Sequence, residues 1–190
     1  MTQESHRQDI GLLIFRAGLG STLAVHGTQK LFGWFGGHGI EGTSGGMKAM
    51  GFLPPRVSAF MAGLGEAGGG ALLALGLATP IGGAAAASTM LAAGSVHKPA
   101  GFFAAEGGFE YNAILGLGGA AVALGGPGYY SLDRLLGDKF NRPWMAVAAL
   151  TVFGTASAAI VARRAKALES TAPTSADQPG EGEQAQATGA

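Results

Sequence analysis

His26, Lys30, Glu66, His97 and Glu110 are the side chains of this sequence best placed to do chemistry, because each sits inside or at the end of a long apolar stretch. The stretches run from Ile10 to Leu31, Val57 to Thr79, Ile81 to Val96, Phe109 to Leu124 and Trp144 to Val161. An ionisable group among apolar helices is costly unless it meets a partner or a wet cavity, and within a membrane it marks a functional site by default. His26 and Lys30 stand one turn apart on one helix face. A carboxyl at Glu66 beside an imidazole at His26 is the pairing that proton-coupled quinone chemistry needs, with Lys30 placed to tune both. The same residues would serve equally as an ionic lock that only fixes the fold. Two histidines and two carboxylates from four helices would also suit a transition metal. The Glu-x-x-His pair of di-iron bundles is missing, however, and no metal is assigned. The five residues are therefore candidate ligand-binding residues, and no catalytic residue is assigned.

The elements that must position them follow from the apolar stretches. Five segments of near-spanning length predict an all-α fold, a polytopic transmembrane helical bundle of four core helices with a fifth, C-terminal helix. Residues 1–9 form a polar N-terminus, 10–136 the transmembrane core, 137–168 a connection and the additional helix, and 169–190 a disordered tail rich in Gly, Pro, Gln and Glu. The first stretch reads as a retained helix rather than a cleaved signal. Phe32 to Arg56, with Trp34, Phe35, Gly36-Gly37 and Gly45-Gly46, reads as a long loop lying at the membrane interface. Pro80, Pro99 and Gly125-Gly126-Pro127-Gly128 separate the later helices, and Tyr129 to Arg142 reads as a short amphipathic connection. Alternating the helices through the bilayer puts all five candidates in one leaflet, with Glu66 about 14 Å deep at 1.5 Å per residue. The other leaflet is expected to hold only Arg16, near its edge and snorkelling outward.

Composition narrows the chemistry. The chain of 190 residues has no cysteine, so it carries no disulfide, thiol nucleophile, iron–sulfur ligand or dithiol relay. Its net charge is zero, which gives nucleic acid no electrostatic footprint to bind. The 35 glycines hold the mean hydropathy to +0.29 although the apolar stretches are long. Gly63-Leu64-Gly65-Glu66-Ala67-Gly68 spells GxGxxG, but no strand precedes it, so Gly65 and Gly69 read as small-residue helix packing. Lys30, Lys48, Arg56, Lys98, Arg163, Arg164 and Lys166 gather at the candidates' end, and by the positive-inside rule that end faces the cytoplasm.

At these same residues the sequence resembles the DoxX family of small bacterial membrane proteins. The resemblance rests on His26-Gly27-Thr28-Gln29-Lys30-Leu31-Phe32-Gly33, on Glu66-Ala67-Gly68-Gly69-Gly70, and on Leu75 to Thr79. It continues through His97, Gly101-Phe102-Phe103, Gly108-Phe109-Glu110-Tyr111 and Gly125 to Asp133, covering about Leu12 to Leu136. It implies a four-helix membrane core associated with membrane oxidoreductase systems, among them a thiosulfate:quinone oxidoreductase and a complex that handles oxidative and thiol stress. The family's usual four-span form would put the candidates' end outside, against the charge count.

The leading expectation is thus a multi-pass protein of the bacterial plasma membrane, a subunit of an oxidoreductase or redox-stress complex with a quinone-type ligand. Electrons would come from soluble redox enzymes as partners, and homo-oligomerisation is left open. The alternatives are a non-enzymatic membrane anchor for such enzymes and a small-molecule or lipid transporter.

Overall fold

The computed structural model describes residues 3–171. Residues 172–190, most of the expected disordered tail, lie outside the described residues, whereas Glu169 to Thr171 still belong to a helix. Among the described residues seven α-helices follow one another: α1 (Gln3–Phe32), α2 (Gly39–Ala49), α3 (Pro55–Leu75), α4 (Thr79–His97), α5 (Glu110–Gly125), α6 (Leu132–Leu135) and α7 (Pro143–Thr171). Among the described residues there is no strand. The five expected helices correspond to α1, α3, α4, α5 and α7. Of these, α1, α3 and α7 are long and apolar enough to cross a membrane.

Local chemistry explains the boundaries. Pro55 opens α3, where its missing N–H costs nothing. Gly76 closes it at φ 63°, with Gly76 N–H on the Leu73 carbonyl and Leu77 N–H on the Leu72 carbonyl, the paired bonds of a Schellman end. Only Gly76 to Ala78 separate α3 from α4, so the two form a tight antiparallel hairpin.

Contact between helices is made by backbone meeting backbone. A Cβ on Gly27 would stand 2.1 Å from the Ala67 nitrogen, and one on Gly20 would stand 2.4 Å from the Gly70 oxygen. The α1–α3 seam therefore exists only because small residues line it. The α4–α5 seam repeats the device: a Cβ on Gly83 would lie 2.4 Å from the Gly119 oxygen. Helix α4 is central and packs against α3, α5 and α7. Its buried run Gly82 to Ala86 needs little hydropathy, because protein rather than lipid surrounds it. Leu19, Leu23, Leu73, Ala86, Met90 and Val122 fill the core. Ile14, Leu117, Val147 and Val152 instead stand exposed on the outside, an apolar surface suited to a bilayer.

Two expectations need correction. The segment from Phe32 to Arg56 is not one interfacial loop, since it holds a 3-10 turn at Trp34–Gly36 and the eleven-residue helix α2. Ile40, Thr43, Ser44 and Met47 carry helical spacing, but four glycines among eleven residues conceal it. Packing of Met47 against Phe52 and Ala59 overrides their poor propensity. The C-terminal helix does not stop near Val161 either, and its further turns reach back to the end of α2.

The seam gives a direct test. Gly27→Ala should destabilise the detergent-purified protein by ~2–3 kcal/mol through overpacking. Gly18→Ala, where nothing lies within 4 Å of the added methyl, should leave the melting temperature unchanged. Equal melting temperatures for the two variants would contradict the seam.

Candidate functional site

The close approach at Gly27 brings the end of α1 onto the middle of α3. Gly63, one turn before Glu66, also lacks a side chain, and a Cβ there would stand 2.6 Å from Leu31 Cγ. The freed space lets Lys30 Nζ reach Glu66 Oε2 at 2.5 Å. The Glu66 side chain is 4% exposed and that of Lys30 29%, so the carboxylate is sunk in the bundle and the ammonium lies between it and the surface. A buried carboxylate without its cation would be strongly unfavourable, so the pair must act as a unit.

A cavity of about 350 Å³ opens beside the pair, between the last turns of α1 and the segment leading into and along α2. His26, Gln29 and Lys30 form one wall, and His38, Thr43 and Met47 belong to the other, with glycines between. Thr43 Oγ1 donates to the Lys30 carbonyl at 3.2 Å, and Gln29 Nε2 donates to the Phe35 carbonyl at 3.2 Å, fastening the two walls together. Glu66 does not line the cavity but stands behind Lys30. The cavity thus meets the buried carboxylate through one exchangeable ammonium.

His26 lies within electrostatic range of Glu66, and its Nε2 is 3.1 Å from the hydroxyl of Tyr111 on α5, with the two rings edge to face. Tyr111 has no place among the sequence-derived candidates. The charge in the sequence belongs to its neighbour Glu110, yet one residue along a helix turns a side chain by about 100°. The signal that would have found Tyr111 is its position one residue past the helix start, on the face toward α1.

His97 and Glu110 are placed differently. His97 Nδ1 bonds the Gly107 carbonyl at 2.9 Å, and Glu110 Oε2 accepts from the Ala104 N–H at 3.0 Å. Both secure the connection between α4 and α5. The structure brings His26, Lys30 and Glu66 together and keeps His97 and Glu110 on that connection. Among the described residues no group of three or more His, Asp and Glu side chains converges on a point that would hold a metal.

A second polar centre, absent from the sequence reading, lies at the opposite end of the bundle. Arg16 does not snorkel outward: it is 1% exposed. Its guanidinium donates to the carbonyls of Ala74 at 2.6 Å, Pro127 at 3.0 Å and Leu73 at 3.2 Å, and also to that of Tyr130. The physical reason is local. The last turn of α3 and the glycine-rich loop after α5 both leave carbonyls without helical partners, and arginine's planar fork can serve several at once. Asp133 is fully buried nearby and caps α4, which has no capping side chain of its own. It accepts from Ala78 N–H at 2.8 Å, from Thr79 N–H at 3.0 Å and from the Thr79 hydroxyl at 2.8 Å. The ionisable residues are therefore not confined to one leaflet.

Apolar helices facing outward, glycine seams within and a charge pair sunk among them define a polytopic membrane protein. The DoxX family model matches residues 11–99, from α1 to just past the end of α4. Over that segment, a little under half of the chain, the sequence is similar to the DoxX family, which supports membership of it. The match takes in Arg16, His26, Lys30, Glu66 and His97, and it excludes Glu110, Tyr111, Asp133 and all of α7. No curated protein and no solved structure matches the chain.

The second centre is predicted to be structural. Asp133→Ala leaves the α4 amides without their acceptor and should cost about 3–5 kcal/mol, read as a lower unfolding midpoint in an SDS titration. Arg16→Lys should also destabilise, since an ammonium has three donors and no planar fork. An unchanged midpoint for both variants would remove the centre from any structural role.

Proposed function

We propose that this chain is an integral subunit of a bacterial plasma-membrane oxidoreductase or redox-stress complex, and that the cavity between α1 and α2 takes the ring of a quinone-type ligand. The observation that carries this reading is the placement of Lys30, which lines the cavity while its ammonium rests on the buried Glu66. A quinone carbonyl accepts hydrogen bonds, and Lys30, Gln29 and His26 offer donors on one wall. Reduction of a quinone to a quinol takes up two electrons and two protons. The Lys30 ammonium would give one proton and the His26–Tyr111 pair the second, each restored from water through the open cavity. The chain has no thiol, so the electrons arrive from a soluble redox enzyme docked on it. In this scheme His26 and Lys30 touch the ligand, Glu66 holds the Lys30 ammonium in place, and His97 and Glu110 hold the neighbouring connection in place.

Mass spectrometry of the protein purified in mild detergent tests the scheme, read for both bound proteins and extracted small molecules. Wild type should carry a quinone together with redox enzymes. Glu66→Gln and His26→Ala should each lower the quinone at least about tenfold, a loss of ~1.4 kcal/mol in binding. Redox enzymes without quinone, unchanged in the variants, would replace this reading with a membrane anchor. Neither enzymes nor quinone would point to transport instead.

A further inference from the structure

The last turns of α7 lie outside the family-matched segment, yet they grip the far side of the cavity wall. Arg164 Nε donates to the Met50 carbonyl at 2.8 Å, where α2 ends, and Nη1 donates to the Ser95 carbonyl of α4 at 3.3 Å. The guanidinium lies over the Phe52 ring at 5.4 Å from its centroid. One turn on, Leu168 covers Gly51, where a Cβ would come within 2.9 Å of Leu168 Cδ2 and where φ is +83°. Phe52 packs with Met47 and Ala59, and Met50 packs against that cluster. Met47 and Met50 in turn line the cavity. A chain of direct contacts therefore runs from Arg164 to the cavity wall.

The wall needs such a hold. Helix α2 has eleven residues, four of them glycine, and no side-chain cap at its start, so it has little stability of its own. On the α1 side it is fastened through Thr43 to the Lys30 carbonyl. Against α3 it rests on the packing of Met47 on Ala59 and an exposed Glu41–Arg56 pair at 3.1 Å, and its C-terminal end is fastened by Arg164.

We infer that Arg164 is a positioning residue for the ligand cavity: α7 clamps the end of α2 and so fixes the distance between the wall carrying Met47 and the wall carrying His26 and Lys30. The inference rests on the cavity being the ligand site as far as affinity is concerned, while the placement of α2 can be measured without any ligand. Arginine suits the task because its fork bonds two carbonyls on different elements while its flat face covers an aromatic ring. Lysine can do one of these things at a time.

The chain has no native cysteine, so spin labels can be attached at chosen sites. Gly18→Cys on α1 and Gly45→Cys on α2 have nothing within 4 Å of an added Cβ. The label-to-label distance distribution in the full-length protein should be narrow, should broaden with Arg164→Ala, and should be only partly restored by Arg164→Lys. Ser157→Ala is the control, because it removes the α7 bond to the Ser88 carbonyl, at 2.7 Å, without touching α2. It should leave the distribution narrow. Titration with a short-chain ubiquinone should show an affinity at least about tenfold weaker in Arg164→Ala and unchanged in Ser157→Ala. An unchanged distance distribution in Arg164→Ala, or equal broadening in Ser157→Ala, overturns the clamp. A broadened distribution in a protein whose wild type binds no quinone sustains the clamp and sinks the quinone reading instead.

Discussion

The close approach of α1 and α3 is the constraint on which the remaining structure depends. Their antiparallel seam is made at Gly20 and Gly70, and again at Gly27 and Ala67. Both charged centres sit at its two ends: Arg16 reaches the last carbonyls of α3, and Lys30 reaches Glu66. A seam wider by one methyl at Gly20 would strain the Arg16 bonds to α3, and one at Gly27 the Lys30–Glu66 contact, since such bonds keep to about 2.7–3.2 Å. Glycine abundance and buried charge are thus one design. Small residues purchase proximity, and proximity makes ionised groups tolerable among apolar helices.

The two centres solve the same desolvation problem in different ways, and the difference separates structure from site. Arg16 and Asp133 are satisfied by main-chain groups, the guanidinium by carbonyls at the end of α3 and in the loop after α5, the carboxylate by amides at the start of α4. Each stands where the helix dipole favours its sign. Both are shut away from solvent, and neither is among the residues lining the cavity of about 420 Å³ that opens beside the loop after α5. Lys30 and Glu66 rely on each other, and the cation remains partly exposed beside an open cavity. A pair with one accessible member can exchange protons or meet a ligand. A charge enclosed by backbone groups cannot do so without unfolding a helix end.

How much of this could be read from the sequence depended on the kind of signal. The five long helices were legible because apolar runs of near-spanning length have few alternatives. Lys30, Glu66 and His26 were legible as neighbours because their helices alternate through the bundle. The burial of Arg16 is not legible, because its four acceptors are main-chain carbonyls, which have no residue type to read. Asp133 sits in a short amphipathic segment that resembles any connection, and its role appears only when α6 folds under the α3–α4 turn. Helix α2 was concealed by its glycines, and Tyr111 by the charge next to it. In each case the missing information is tertiary, carried by contacts between segments far apart in the chain.

The extent of the family match then acquires a physical meaning. Residues 11–99 supply α1, α2, α3 and α4, hence the seam, the ion pair and both walls of the cavity. What lies beyond supplies restraint: Tyr111 holds His26, Asp133 caps α4, and Arg164 secures the end of α2. The matched segment therefore contains the groups that could act on a ligand, while the later helices set how rigidly those groups are held. A wall made of one short, glycine-rich helix has little stability of its own and needs outside restraint. Placing its restraint on a helix outside the matched segment lets the tightness of the cavity change without altering any residue that faces it.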